Sequence, residues 1–487
     1  MQVCHHLRKF SKYTISNIQK NTTVEVEFEA IPPTTYTLSI TASGNGSASF
    51  NNTAIRSKTS TFTVNEGTTV TISFSPDAGY RIKSVKVNNS AVSVSESQYT
   101  ISDIKANTSV EVEFVEDVKS FSINDVNYSV LSYDDKTVSV TAGNSGMVLE
   151  IPEKVSYNDI EWIVTGIEED AIASNKELAA VIWNPSVEFK VSVPNPNLLL
   201  YVKSASYAPS TINNVVVNDI ADNIVLTDAA GGNNFYCPKE FTAKKISYTH
   251  NYGMTTGLGE SRGWETIALP FDVKTIVHSS KGELTPFVNW KSVDTAKPFW
   301  LMNYGAGGWS NANSIKANTP YIISMPNNQE YKPEYRINGS ITFSAEDVTV
   351  KKSEDLQTGS YNGNTFIPNF ANAENSGCLA LNVNNDYVTY LGGSTEGSRF
   401  IVNLRPVYPF EAYMTSATRA RQYISINEDM ATGIQIVNEL YDNEKIVRVY
   451  SLSGQLLLVE ENKSIDDIQK LLKAGVYVIN GKKVIIK

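Results

Sequence analysis

Tyr13–Phe28 reads YTISNIQKNTTVEVEF, and Tyr99–Phe114 reads YTISDIKANTSVEVEF. Twelve of the sixteen positions are identical, at an offset of 86 residues. Self-similarity at a fixed period is the signature of a repeated structural unit. In the second copy Val110, Val112 and Phe114 alternate with Glu111 and Glu113. An alternation of period two puts the apolar residues on one face of a β-strand and the acids on the other. Working outward, Thr37–Ile40, Ser47–Phe50, Thr61–Val64, Thr69–Phe74 and Arg81–Val87 also read as strands, with Ile82, Val85 and Val87 facing inward. Gly44–Gly46, Asn65-Glu66-Gly67 and Pro76–Tyr80 separate them as turns. The fold class expected for the chain is therefore all-β and multi-domain. The second copy spans about Tyr36–Phe114, whereas the first holds only its last third. The period leaves about 60 residues for the missing front, so Met1 is read as an internal start in a longer gene or as a mis-called one.

Composition sets the outer limits. At roughly 150 residues per domain, 487 residues imply about three domains. Hydrophobic residues make up 41% of the chain, enough for real cores and too many for wholesale disorder. The formal net charge of −10 argues against nucleic acid or an anionic membrane as the main partner. Three cysteines exclude a disulfide scaffold, and four histidines leave little material for a His-rich metal site or a His-based triad. The opening MQVCHHLRKFSKYTISNIQ has a basic start without the following apolar run of a secretory signal. No run of ~18 apolar residues exists to span a membrane as a helix.

With these residues in view, the series TLSITASGNGSASF, FTVNEGTTVTISFSPDAGYRIKSVKVN and YTISDIKANTSVEVEF resembles the divergent internalin-type B repeats of bacterial surface proteins. Gly79–Asn88 carries most of the match, and the resemblance covers about residues 11–116. It implies stalk or spacer modules outside the cell, some of which contact host molecules. Farther on, Ile163–Ile167, Ala171-Ile172-Ala173, Leu178, Val181-Ile182 and Pro185-Ser186-Val187 resemble one turn of the BspA-type leucine-rich repeat. A solenoid buries its core by stacking about three or more units. The expectation is thus a vestigial or capping unit, with a short solenoid of diverged turns as the alternative.

From about Asn195 to Asn427 the chain is rich in Asn, Tyr and Gly and reads as many short strands in one or two sandwiches. Trp264–Asp272, Asn318–Ile323 and Arg405–Tyr413 resemble a region common in large surface proteins of anaerobic Gram-negative gut bacteria. No catalytic motif emerges. Gly257-Leu258-Gly259 with Gly263 misses the dinucleotide fingerprint by one place, and Gly305–Gly308 lacks the Lys-Ser/Thr of a phosphate loop. Glu265, Asp272 and Glu411 are the default carboxylates for a glycosidase, but nothing pairs them, and Glu265 reads as a solvated strand residue. Cys4-His5-His6 lacks a second ligand cluster, and Asn382–Asp386 lacks calcium-loop spacing. Hence no catalytic residue, metal or cofactor is expected. Cys237 and Cys378 are read as free, buried thiols, and Trp162 and Trp183 as core. Trp290, Trp300 and Trp309 with Tyr304 fall within twenty positions. Exposed, they would form a stacking platform for a ligand such as a sugar; otherwise they fill the core.

At the end, Ile446–Tyr450, Gln455–Val459, Ala474–Ile479 and Lys482–Lys487 read as strands around a short helix capped by Ser464. The order VYSLSGQLL … LKAGVYVINGKKVIIK resembles the C-terminal sorting domains of outer-membrane-secreted proteins in the same bacterial phylum. It implies a small β-sandwich read by a secretion apparatus. The expected organisation is a truncated repeat (1–35), a complete repeat (36–117), a leucine-rich-repeat-like unit (118–190), a central β region (191–430) and the sorting-like module (431–487). The expected function is adhesion or ligand binding at the cell surface or after secretion, without catalysis. The alternatives are a carbohydrate-binding module and a degradative enzyme of the central region. A host matrix protein or glycan and the secretion machinery are the expected partners; nucleic acid and membrane insertion are not.

Overall fold

The structure is a computed structural model. It describes residues 14–228, 233–254, 262–372, 377–382, 396–417, 423–426, 446–451, 455–461, 465–479 and 482–486. Cys4-His5-His6, Tyr13, Gly257–Gly259, Asn384–Asp386, Thr389–Leu391, Ser464 and Asn480-Gly481 lie outside these residues. The chain divides into two compact units, Met1–Val118 and Lys119–Lys487. Strands dominate both, and the one α-helix among the described residues is the seven-residue α1, Ile465–Leu471. The all-β, multi-sheet class read from the sequence is the class observed.

In the first unit, nine strands form a two-sheet sandwich: β1 (Thr35–Ser43), β2 (Gly46–Phe50), β3 (Thr53–Ile55), β4 (Lys58–Asn65), β5 (Val70–Pro76), β6 (Tyr80–Val87), β7 (Ser90–Val92), β8 (Gln98–Ile101) and β9 (Thr108–Glu116). One sheet runs β4-β1-β9-β6-β7 and the other β3-β2-β5-β8. β9, the strand that holds VEVEF, is central: it lies parallel to β1 and antiparallel to β6. Leu38, Ile40, Ile72, Val110 and Val112 are at most 1% exposed and form its core with Phe74 and Phe114. The matching first copy takes no strand. Residues 14–34 take no regular secondary structure, with Val24, Val26 and Phe28 at 55%, 59% and 91% exposure.

The second unit opens with β10 (Ser120–Ile123), β11 (Val126–Ser132), β12 (Thr137–Ala142), β13 (Val148–Ile151), β14 (Lys154–Tyr157) and β15 (Ile160–Ile167). All but β13 form a sheet ordered β10-β11-β12-β15-β14. β13 instead begins a parallel ladder with β16 (Ala180–Trp183), β17 (Leu199–Val202) and β18 (Val215–Val217). Ala180 lies opposite Leu199, and Leu200 opposite Val215, so successive rungs advance by 19 and then 15 residues. The single repeat-like turn legible around Val181 is therefore one rung of four, and the expected boundary at 190/191 cuts through a continuous sheet. Buried asparagines hold the loops between rungs. Asn197 donates to the carbonyls of Thr227 and Asn233 and accepts from the Thr227 amide; Asn214 likewise holds Pro196 and Val225. Such side chains satisfy loop backbone that packing removes from water.

The ladder passes through β19 (Ile220–Ala221) to the long β21 (Phe241–Tyr252), which also pairs with β20 (Ile224–Thr227). It continues through β22 (Glu265–Ile267), β23 (Thr275–His278), β24 (Gly282–Pro286), β25 (Lys297–Gly305), β26 (Gly308–Asn311), β27 (Tyr321–Ser324) and β28 (Gly339–Val350). This sheet curls on itself: Leu199 and Ile224 share one core with Ile267, Phe299, Ile323 and Phe410. A six-stranded sheet follows, of β29 (Gly359–Tyr361), β30 (Asn364–Pro368), β31 (Leu379–Leu381), β32 (Arg399–Val402), β33 (Ala412–Ser416) and β34 (Tyr423–Ser425). It packs a second, aromatic core against β22 and β25–β27. The chain closes with β35 (Ile446–Ser451), β36 (Leu456–Glu461), α1, β37 (Gly475–Ile479) and β38 (Lys482–Ile486), the strands expected there. Ile468 of α1 is buried against Val447, Val449 and Ile479.

Candidate functional site

The aromatic group separates into two environments. Trp300, Tyr304 and Trp309 are 6%, 4% and 3% exposed and belong to the aromatic core. Trp300, Met302 and Tyr304 share the inward face of β25, and Trp309 stacks on Phe400 with ring centroids 6.1 Å apart. These three offer no exposed platform, which corrects that expectation: the sandwich needs large apolar volume, and planar rings supply it. Trp290 differs. It follows β24, is only partly buried, and meets Phe287 at 5.9 Å and Tyr335 at 5.8 Å. The Lys297 ammonium lies 5.4 Å from the centre of the Tyr335 ring. Trp162 and Trp183 are buried, as expected.

The three default carboxylates sit in separate structural roles. Glu265 is no solvated face residue: its side chain is 15% exposed and its Oε2 lies 2.9 Å from His250 Nε2. The other ring nitrogen, Nδ1, bonds Asp228 just beyond β20. Glu265 Oε1 also accepts the amides of Gly253 and Met254, each at 3.2 Å. His250 thus clasps β20, β21 and β22 with both nitrogens occupied. Burial lowers its pKa, but the bonds to Asp228 and Glu265 outweigh this and raise it to about 9. A charged ring without a free lone pair is a structural cation, not a poised base. Asp272 accepts the Ala317 amide at 2.9 Å and pairs with Lys316 at 3.1 Å. Burial raises its pKa, and these contacts hold it below the ordinary carboxylate value. Glu411 bonds Arg405 at 2.8 Å and the Tyr408 amide at 2.9 Å. None of the three pairs with another.

Cys237 and Cys378 are free thiols, as read, but only Cys237 is buried as expected; Cys378 is partly exposed. Cys237 is fully buried, and burial pushes its pKa up to about 11. Such a thiol stays protonated and is a poor nucleophile. Among the described residues no three His, Cys, Asp or Glu side chains gather to hold a metal, and no helix is long and apolar enough to cross a membrane.

The feature that remains unspent is a cleft of about 480 Å³ at the first rung of the parallel ladder. Val148 and Glu150 of β13 form one wall, β10 and β11 contribute Ile123, Val126 and Tyr128, and Val155 of β14 closes it. Asn124, Asn144 and Pro152 stand at its rim. The side chains of Val126, Tyr128 and Val155 are buried, while Glu150 is exposed. Alternation along β13 produces this: Leu149 and Ile151 are buried on one face, and Val148 and Glu150 turn the other way. Later rungs have that face covered, because Ala180, Leu199 and Tyr201 pack into the large core. At the first rung Val148 still packs against the edge of that core, and Glu150, next on the same face, is exposed. Tyr128 is 1% exposed, lines the cleft and makes no hydrogen bond through its hydroxyl among the described residues. Burial alone raises its pKa. Glu150 likewise has no hydrogen bond or ion pair there. The nearest charges in sequence are committed elsewhere: Glu153 to Lys203 at 2.8 Å, and Lys154 to Glu161 at 2.7 Å.

Sequence reading missed this cleft. Its residues come from four strands and three connecting segments, no motif joins them, and the backward face of β13 is visible only once the ladder is stacked. Comparison with protein-family models, with curated proteins and with solved structures finds no match.

Proposed function

We propose that this chain is a cell-surface or secreted protein that contacts a ligand without catalysing a reaction, with the cleft at β13 as its contact site. The observation that carries the reading is the cleft itself. It is concave, of a size typical of ligand sites, lined by apolar side chains with a few convergent polar groups, and it holds no nucleophile–base pair. The resemblances to surface-protein repeats support the location. On this reading the repeat sandwich acts as a spacer, the ladder presents the cleft, and residues 431–487 serve secretion or capping. A matrix protein or a glycan of a host is the partner class. The test is an array of matrix proteins and glycans probed with the intact chain and with Val148→Trp, which fills the cleft. Binding by the first and loss in the second is the expected result; equal binding by both removes the cleft from the function.

A second reading rests on the partly exposed Phe287, Trp290 and Tyr335 with Lys297 above. Half-exposed rings are suited to stacking on sugar faces. Trp290→Ala on the same array separates it: loss of glycan binding there, with Val148→Trp silent, favours the carbohydrate reading.

A further inference from the structure

We infer that the β13 cleft receives the side chain of a lysine or arginine on a partner polypeptide, its cationic head between Glu150 and Tyr128 and its methylene stem along Val126, Val148 and Val155. The inference rests on the cleft being a contact site and names what it contacts. Three features select this chemistry. The floor is apolar, which suits a stem of methylenes and not a fully polar ligand. Glu150 is the one charged side chain in the lining, and its carboxylate is uncompensated because Lys154 and Lys203 already pair with Glu161 and Glu153. Tyr128, almost wholly buried, lines the same cleft, and its hydroxyl makes no hydrogen bond among the described residues. A cation with several N–H donors satisfies both acceptors at once, and charge-assisted bonds of this kind are about twice as strong as neutral ones. An anionic ligand would be repelled by Glu150, and a neutral donor would reach it with a weaker hydrogen bond than a cation makes. The amides of Asn124 and Asn144 stand beside the mouth, and a peptide backbone offers them partners, although the Asn144 side chain already bonds Val148 and Gly146. The chain's net charge of −10 draws a basic partner toward it.

The test uses the intact chain at about 0.15 M salt, where non-specific surface attraction is screened beyond ~8 Å. Fluorescein-labelled Gly-Ser-Lys-Ser-Gly and its norleucine counterpart are titrated by fluorescence anisotropy. The lysine peptide is expected to bind at least about tenfold more tightly than the norleucine peptide, and Glu150→Gln to erase that margin. Tyr128→Phe is expected to weaken the lysine peptide by a smaller factor, roughly two- to fivefold. Equal affinity of both peptides, or no change in Glu150→Gln, overturns the cation assignment. If Val148→Trp still abolishes binding in that case, the cleft stands as a contact site for a different ligand class. If neither peptide binds, or if Val148→Trp and the rim substitution Pro152→Trp both leave binding intact, the cleft reading falls with it. A circular dichroism spectrum matching the parent's qualifies each variant.

Discussion

Asn21–Phe28 and Asn107–Phe114 read NTTVEVEF and NTSVEVEF, one substitution apart, and the two segments live in opposite states. In the second, Val110, Val112 and Phe114 are 0%, 1% and 3% exposed inside a sandwich; in the first, Val24, Val26 and Phe28 are mostly in water. The amphipathic alternation is the same. What differs is the pair of flanks: β1 on one side in parallel register, from Leu38 opposite Thr108 onward, and β6 on the other, with Val87 opposite Val110. Polar contacts follow the flanks. Asn107 accepts the Thr37 amide, Asn88 accepts the Ser109 amide, and Glu113 pairs with Lys83 at 2.9 Å. A strand pattern therefore states which face will be buried, not that it will be. Isolated strands are at best marginal in water, and a third strand or a packing partner is needed.

The contrast can be broken by substitution at matched positions. Phe114→Ala should lower the stability of the Met1–Val118 unit by about 3–5 kcal/mol, whereas Phe28→Ala should change it by no more than about 0.5 kcal/mol. Urea unfolding followed by hydrogen exchange at β1 and β9 measures both, and similar losses would contradict the assignment of the two states. Next in size is Gly44→Ala. Gly44 has φ +80°, and a Cβ there would fall 2.0 Å from the Phe114 carbonyl oxygen. Strain and displacement of β9 together should cost about 2–3 kcal/mol in the same measurement; an unchanged midpoint would show that β9 is not pinned at that carbonyl.

Ion pairing sharpens the same lesson in the other unit. The Lys83–Glu113 pair is half exposed, but the His250 clasp is largely enclosed. His250 has its pKa raised from 6.5 to about 9, so its contribution is complete below pH 6.5 and is lost as pH rises through about 9. The Lys119–Lys487 unit should lose on the order of 2 kcal/mol across that window, and His250→Gln should flatten the profile. Melting temperatures recorded from pH 6 to 10 decide it: a parent and a variant with the same slope would remove the clasp from the stability account. The smallest effect belongs to the surface pair. Glu113→Gln should cost about 0.5 kcal/mol or less and Glu27→Gln nothing measurable, by the same unfolding experiment.

Much of the fold was legible because strand faces and turns are local. The alternations at Thr61–Val64 and Thr69–Phe74, the turn at Asn65-Glu66-Gly67 and the C-terminal strands all lie where the pattern puts them. Paired positive-φ residues close the hairpins, Asn88-Asn89 between β6 and β7 and Asn218-Asp219 between β18 and β19, as Asn and Asp tolerate that conformation best. The continuation of the parallel ladder was not legible. Its rungs at Leu199 and Val215 are only three or four residues long and share no motif, and their loops are held by Asn197 and Asn214, whose partners lie 11 to 36 residues away in sequence. Nor was the division of the tryptophans. Trp290 and Trp300 are ten positions apart, and only the packing of β25 against the six-stranded sheet buries one and leaves the other at the rim.

By itself the sequence determined the all-β class, the duplication, the alternating faces and the absence of a recognisable catalytic motif, since each depends on residues within a few positions of one another. Tertiary structure alone decided which copy of VEVEF becomes a strand, that Glu265 is spent on His250, and that Glu150 stays exposed beside the cleft with no side-chain partner among the described residues. These outcomes depend on what lies across the sheet or the core. Burial and electrostatics are set by neighbours in space, which a local pattern does not specify.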